Sequence, residues 1–562
     1  MFTVKLKFIM SRFFIVLFIV LLFIGCNKTE KKEYFVQPIE VVCDYPFNDM
    51  TKWAITCRVW GLLKYYHPNV TAGNMDWDKV LLDRMEHINN AKTAERVNIE
   101  LMNMIKSAGK YKGIVDKKWN DSLNINVNLC WLDKSFINDS IRMELKKIAS
   151  LKVMQPSYYV GKRYIGDFRS DGLEIKNEKD YERINIIMYY NYRLLALFRY
   201  WNVIYYFFPY KYLMDISWDK TLEDFIPKFI EADNINKYNE IVLNMSTRLN
   251  DGHSFLNISP VSNTNPKITV SIDTLTLVRI PPQQSLLKRG DIILSINEKR
   301  IKILRDSLES IIASSNQNYL NSRINSLIDK TIIEGCTMTV LRNQQELEII
   351  ENKKSLLYPK DNIPFYFIST EVGYVNLDLV DESEVIEMFN LFKDTKGIIF
   401  DLRCYPKQWG ISCHLSSSHR YYYGQANISD LSHCGSFYIK KCEMFFSKDK
   451  FEDCKKYNGK FIVLINSESM SAAETMAIDF RIHGAILIGT PSAGANGNIA
   501  YIKIPGDIVA SFSSLGFYYP NGELTQRKGI IPDIIVYPTM ESIIEGKDEI
   551  LEEAIRYINN LK

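Results

Sequence analysis

Phe461-Ile-Val-Leu-Ile465-Asn466-Ser-Glu-Ser469-Met-Ser471-Ala472-Ala473-Glu474-Thr-Met-Ala-Ile-Asp-Phe-Arg-Ile-His483 is an apolar run, a short polar turn and a second run with helical spacing. The first run reads as a buried strand ending at Asn466, and Ser471 to His483 reads as a helix. A serine at that junction admits two readings. Ser471 or Ser469 caps the helix, which is common for serine. Alternatively, Ser471 Oγ is a nucleophile. The helix N-terminus then offers unpaired amides and positive potential to an oxyanion, with the Ala472 N–H placed to donate.

The same alternation extends on both sides. Gly373 to Leu379 reads as a strand and Glu382 to Leu391 as a helix, and Gly397 to Arg403 and Ala485 to Gly489 as buried strands. Strands alternating with helices argue an α/β layered fold from Pro364 onward. The stretch 407–458, rich in His, Ser, Tyr and Cys, interrupts it as an insertion and reads as a lid. Cys413, Cys434, Cys442 and Cys454 within it suggest a local disulfide set. With His414, His419 or His433 their spacings match no tight zinc pattern.

A chain of 562 residues is long for one core and predicts several domains. Lys+Arg 69 against Asp+Glu 66 leaves a net charge of +3, too balanced for a nucleic-acid partner. Lys5, Lys7 and Arg12 precede an apolar run from Phe13 to Ile24, shorter than the roughly 20 residues of a membrane span. Phe23-Ile24-Gly25-Cys26 at its end resembles a bacterial lipobox, against an ordinary cleaved signal or a short anchor. Residues 1–26 are thus a lipoprotein signal peptide with lipid on Cys26, and residues 27–44 a solvated tether. The expected location is the cell envelope, held to the membrane by lipid.

Residues 45–260 contain an internal repeat. Arg58, Trp60, Tyr65, Pro68 and Trp77-Asp78-Lys79 recur as Arg199, Trp201, Tyr206, Pro209 and Trp218-Asp219-Lys220, each pair 141 residues apart. Each copy reads as an amphipathic helix ending near its proline, a loop, and a second helix starting at Trp-Asp-Lys. Only the second copy closes on Asp251-Gly252-His253; the first has Lys112 where the histidine stands. The repeat itself therefore does not require that histidine.

Two resemblances complete the reading. Residues 266–355, with Gly290-Asp291-Ile-Ile-Leu-Ser-Ile-Asn297 and Ile301, resemble a PDZ domain, whose fold adds a peptide strand at a sheet edge and holds its carboxylate on backbone amides. From about 365 to 555, Ser471-Ala472-Ala473-Glu474, Gly397 to Arg403, Gly489-Thr-Pro-Ser-Ala-Gly494 and Gly529-Ile-Ile-Pro-Asp533 resemble the tail-specific (C-terminal processing) and tricorn-core serine peptidases. That likeness implies a crotonase-like peptidase domain at 362–562 and makes Ser471 the nucleophile, with a polypeptide substrate, no metal and no cofactor. The lysine that tail-specific members carry after the Gly-x-Pro-x-x-Gly block is absent, for Ala495 and Asn496 stand there. The tricorn-like solution uses a histidine upstream of the PDZ domain, and His253 matches it as general base. Where that pattern places a glutamate, Gln526 stands as a neutral orienter of the imidazole, and Glu523 is the competing candidate. The second oxyanion amide falls nearest Cys404 or Tyr405, in a run Asp401-Leu-Arg403-Cys404-Tyr405-Pro406-Lys407-Gln408 that lacks the family's glycines. The whole is a multidomain α+β chain: a helical N-terminal region, a PDZ-like β domain and an α/β layered peptidase domain. The function expected is an exported serine peptidase. The alternative is a weak or inactive peptide-binding lipoprotein using the PDZ-like groove.

Overall fold

Residues 141 apart in the helical half make matching contacts. The computed structural model describes residues 44–115, 124–165, 170–260, 268–351, 363–407, 411–454 and 456–561, so Cys26, the lipobox and most of the tether lie outside the described residues, as does Gln408. Helices α1 (Asp49–Tyr66), α2 (Trp77–Asn90) and α3 (Ala94–Ser107) are followed by α4 (Tyr190–Phe207), α5 (Trp218–Glu231) and α6 (Ile235–Thr247). Asp76 and Ser217 cap α2 and α5 at Lys79 N and Lys220 N. In each copy two indoles exchange hydrogen bonds with each other's backbone: Trp60 with Trp77 at 3.1 Å both ways, Trp201 with Trp218 at 2.7 and 2.9 Å. Between the copies the ion pairs cross over. Arg58 meets Asp219 at 2.5 Å and Arg199 meets Asp78 at 2.6 Å, with both guanidinium groups buried.

The expected amphipathic stripe is not what α1 and α4 show. Every residue from Thr51 to Tyr66 and from Arg193 to Phe207 is buried. These are central helices covered on all sides, so their charged residues do not mark a solvent face. Lys64 instead lies on Glu178 at 2.7 Å, and Arg199 shares that carboxylate at 2.9 Å.

The middle region forms a sheet of strands β1 (Thr269–Ile272), β2 (Leu275–Val278), β3 (Ile292–Ile296), β5 (Thr337–Arg342) and β6 (Gln345–Ile350) in the order β1-β2-β3-β5-β6, with β4 (Lys299–Arg300) on β3. Helix α7 (Ile301–Glu309) packs on β3, and α8 (Gln317–Thr331) on β1, the edge strand. Ile293, Ile296, Ile324, Ile328, Met338 and Val340 fill the space between.

The last region is layered, as its alternation predicts. Strands β7 (Phe365–Ser369), β8 (Val372–Asn376), β9 (Gly397–Asp401), β12 (Lys460–Ile465), β13 (Ile486–Gly489) and β17 (Ile534–Ile535) make one sheet in that order, parallel except for β7 on β8. Helix α9 (Val385–Leu391) and α10 (Ala472–Ile482) contribute Met388, Phe389, Met476 and Phe480 to the core on one face, while α11 (Glu549–Asn559) buries Ile550, Ala554 and Ile558 on the other. Between β9 and β12 the insertion is a long hairpin, β10 (Arg420–Ser429) with β11 (Ser436–Phe445). Of its four cysteines, Cys413 pairs with Cys454. Cys434 and Cys442 are free thiols: Cys434 is buried in the core of the helical half, and Cys442 lies on β11 opposite Gly424.

One more hairpin decides where the site forms. Strands β14 (Ile499–Ile504) and β15 (Ile508–Ser513) pair with each other and bury Ala500, Ile502, Ile504, Ala510 and Phe512 in the core of the helical half. The short strand β16 (Gly516–Tyr518) then joins the edge of β10.

Because Arg58 has no solvent to retreat to, Asp219→Ala will cost about 3–5 kcal/mol of stability by chemical denaturation. Asp83→Ala, which breaks the exposed Lys79–Asp83 pair on α2, will cost under about 0.5 kcal/mol.

Candidate active site

Ser471 stands where β12 gives way to α10, with φ +56° and ψ −110°. A serine rarely holds a positive φ, and such a residue costs roughly 1–3 kcal/mol unless its surroundings over-determine it. They do so here. Ser471 N–H donates to Ala495 O at 3.0 Å and lies 3.2 Å from Glu474 Oε2, and Ser471 O accepts the first helical bond from Thr475. Ser469, the other serine of the turn, is fully buried and donates to Leu402 O at 2.7 Å, tying the turn to the end of β9.

Glu474 is fully buried on the first turn of α10. Besides Ser471 N–H, its carboxylate accepts Ser492 Oγ at 2.5 Å, Gly494 N–H at 2.8 Å and Ala495 N–H at 3.0 Å. Ser492 Oγ in turn accepts Ile530 N–H at 2.6 Å. One carboxylate therefore fastens the serine turn, the 492–495 loop and, through Ser492, the Gly529 block. Burial pushes its carboxyl up to about 7, with the hydrogen bonds from Ser492, Gly494, Ser471 and Ala495 pulling the other way.

The histidine arrives from the opposite side. Residues 255–257 run along β15, with Ser511 N–H on Phe255 O at 2.8 Å and Asn257 N–H on Val509 O at 3.1 Å. This pairing brings His253 to Ser513, and Nδ1 lies 2.9 Å from Ser513 Oγ. Burial holds the imidazole below its ordinary range, against the opposing charge of Asp251. Gly252 is needed for close approach: a Cβ there would sit 2.9 Å from Ala495 Cβ and 3.0 Å from Ser315 Oγ. Its N–H donates to that same Ser315 Oγ at 2.6 Å. The helical half, the middle region and the peptidase region thus meet around Gly252. Ala495 both packs on the histidine turn and accepts the Ser471 N–H.

The remaining sequence candidates fall in different places. Ala472 opens α10, and its N–H makes no hydrogen bond among the described residues. Cys404 is part-buried against the sheet core, its thiol donating to Asp401 O at 3.5 Å and pushed up by burial. Arg403 beside it is locked to Asp401 and Asp548 at 2.7 and 2.8 Å. Gln526 is buried, but its amide does not meet the imidazole. Nε2 donates to Asp251 Oδ1 at 3.0 Å, because Ser513 already occupies the Nδ1 side. Glu523 is exposed in the turn after β16, where its carbonyl accepts the Tyr519 N–H. Sequence reasoning missed Ser513, the carboxylate role of Asp251 and the four-donor seat of Glu474. Only the last had a local signal, the Ser-x-x-Glu spacing of a capping box.

The middle region holds a further surprise. The amides of Ile268 and Thr269, at the start of edge strand β1, are taken by Asp329 of α8 at 2.9 and 3.0 Å. Thr269 Oγ1 donates to the same carboxylate at 2.6 Å. Among the described residues no group of three or more His, Cys, Asp or Glu is placed to hold a metal, and no helix is long and apolar enough to cross a membrane.

Ser471 on its strained strand-to-helix turn and the turn that carries the buried His253 thus both contact Ala495. The family model of peptidase family S41 matches residues 418–536, the stretch that holds Ser471, and marks it as an S41 serine-peptidase domain. Among curated proteins nothing matches. Among solved structures, the chain is similar to mature CPAF complexed with lactacystin, at 13% identity and TM-score 0.49 over 66% of this chain and 99% of that one. It is also similar to the photosystem II D1 C-terminal processing protease (14%, TM-score 0.36, 63% and 98% covered) and to the tricorn protease (14%, TM-score 0.33, 67% and 37% covered).

Replacing Glu474 by Gln turns an amide N–H toward donors it cannot satisfy, and will cost roughly 2–4 kcal/mol of stability. The wild-type carboxyl also binds its proton more tightly folded than unfolded. Its contribution is therefore fully present below about 4.5 and is lost as pH rises to about 7. Denaturation midpoints across that window will show this slope in the wild type and lack it in Glu474→Gln.

Proposed function

We propose that this protein is an exported, lipid-tethered serine peptidase that cleaves polypeptides through an acyl-Ser471 intermediate, with His253 as general base. The observation that carries the reading is Ala495, which seats the histidine turn on one side and the nucleophile's N–H on the other. His253 Nε2 takes the Ser471 proton as Oγ attacks the scissile carbonyl carbon, and returns it to the leaving amine as the C–N bond breaks. Water then enters by the same route: His253 accepts its proton, the acyl ester is cleaved and Ser471 Oγ is reprotonated. The Ala472 N–H, unspent at the N-terminus of α10, faces the developing oxyanion with the helix dipole behind it, and the amide at Cys404 supplies the second donor. Such donors are each worth about 10²–10³ in turnover.

The competing reading, a peptide-binding lipoprotein, needs a free edge in the middle region. The lipid on Cys26 would hold the enzyme at the envelope, with the polar run Asn27 to Glu33 as its tether.

A serine-directed fluorophosphonate will label the wild-type protein at Ser471, and labelling will vanish in Ser471→Ala and His253→Ala. Equal labelling of Ser471→Ala sinks the proposal. Because burial lowers the imidazole's affinity for protons, the acid limb of the labelling rate will lie below pH 6.5. In a lipidating host, labelled palmitate will appear on the wild type and not on Cys26→Ser.

A further inference from the structure

We propose that Asp251, acting through the Ser513 hydroxyl, is the carboxylate that positions the histidine base, in place of the group at position 526. This rests on the reading of Ser471 and His253 as nucleophile and base.

The hydrogen bonds decide the direction of the chain. Asp251 is fully buried, and four donors converge on it. Ser513 N–H reaches Oδ2 at 2.7 Å, while Ser513 Oγ at 2.9 Å, Gln526 Nε2 at 3.0 Å and His253 N–H at 3.2 Å reach Oδ1. A carboxylate has no hydrogen to give, so the single hydroxyl hydrogen of Ser513 points to Asp251. Ser513 Oγ can then only accept from the ring nitrogen 2.9 Å away. The imidazole is thereby fixed with its hydrogen on Nδ1 and its lone pair on Nε2, the tautomer a base toward Ser471 requires. When Nε2 takes up the serine proton, the imidazolium has a carboxylate one hydroxyl away, and no bond in the relay has to break.

The same geometry accounts for glutamine at 526. Its amide N donates to Asp251, and its Oε1 is buried without a hydrogen-bond partner among the described residues. A glutamate there would press a second carboxylate onto Asp251, and two such groups in contact hold a shared proton. Glutamine keeps the charge on Asp251 alone. The charged groups facing this centre are few. Asp251 lies on the histidine's own turn, and Glu474 lies beyond Ala495. Arg323 sits over the ring of Phe255 at 5.6 Å, and Arg527 reaches Ser315 O from the far side.

Two measurements test the assignment. In protein carrying ¹⁵N-labelled histidine, the His253 resonance pair, identified by its loss in His253→Gln, will show a protonated Nδ1 and a bare Nε2 near neutral pH. Ser513→Ala will erase that preference and Ser513→Thr will keep it. A wild type protonated at Nε2 overturns the relay even if the protein hydrolyses peptides. Fluorophosphonate labelling of Ser471 gives the second readout. Asp251→Asn will slow it by about 10²–10⁴-fold and Ser513→Ala by at least about tenfold. Asp251→Asn will also move the acid limb to lower pH, because the charge that raises the imidazole's proton affinity is gone. A slower rate with an unmoved limb makes the role merely structural and overturns the inference. Gln526→Glu will not accelerate labelling; a gain there would return the orienting role to position 526. A wild type that does not label at all removes the peptidase reading first, and this one with it.

Discussion

The buried carboxylate of Glu474 is the constraint on which the rest of the site depends. A carboxylate in a dry interior is tolerable only when its lone pairs are used, and here a serine hydroxyl and three backbone N–H groups use them. Each donor comes from a segment that cannot be placed by its own propensity. The serine turn has a positive φ, the 492–495 loop has no regular structure, and the Gly529 block is held through Ser492. The energy needed to strain Ser471 is offset by bonds to the residue three positions on, so the geometry of Ser471 and the helix start are one event.

A second constraint acts across domains. Hairpin β14–β15 belongs by sequence to the peptidase region, but its apolar face lies in the core of the helical half. That burial carries Ser513 to His253, and the pairing of residues 255–257 with β15 aligns the two. The His253–Ser513 contact therefore draws on the helical core, whose halves are in turn bound by the crossed Arg58–Asp219 and Arg199–Asp78 pairs. The structure couples parts that read as separate domains in the sequence.

What was legible in the sequence was local. The strand, turn and helix around Ser471 follow from apolar runs and a cap signature, and the sheet of the peptidase region follows from their alternation. The stretches 141 residues apart were visible because the same indoles and carboxylates do the same work in each. Reading α1 and α4 as amphipathic failed because charge in a sequence does not say whether it meets water or another buried charge. Asp251 and Ser513 were illegible for a different reason. They lie 262 residues apart, Ser513 carries no motif, and the Asp251-Gly252-His253 element does not say which donors its aspartate takes. Gln526 was found by its place in a family pattern, and that place proved to be beside Asp251 instead of the imidazole.

Under the proposed function, position 495 explains why the base is a histidine. The space between Gly252 and Ala495 has no room for one further carbon, since a Cβ on Gly252 would stand 2.9 Å from the alanine methyl. A lysine at 495 would have to grow through the turn that presents His253, or displace it. A histidine turn seated on an alanine and a lysine rising from the same loop are therefore alternative fillings of one volume. Once Asp251-Gly252-His253 packs there, the loop must stay small. The glycine and the alanine are two consequences of that single packing.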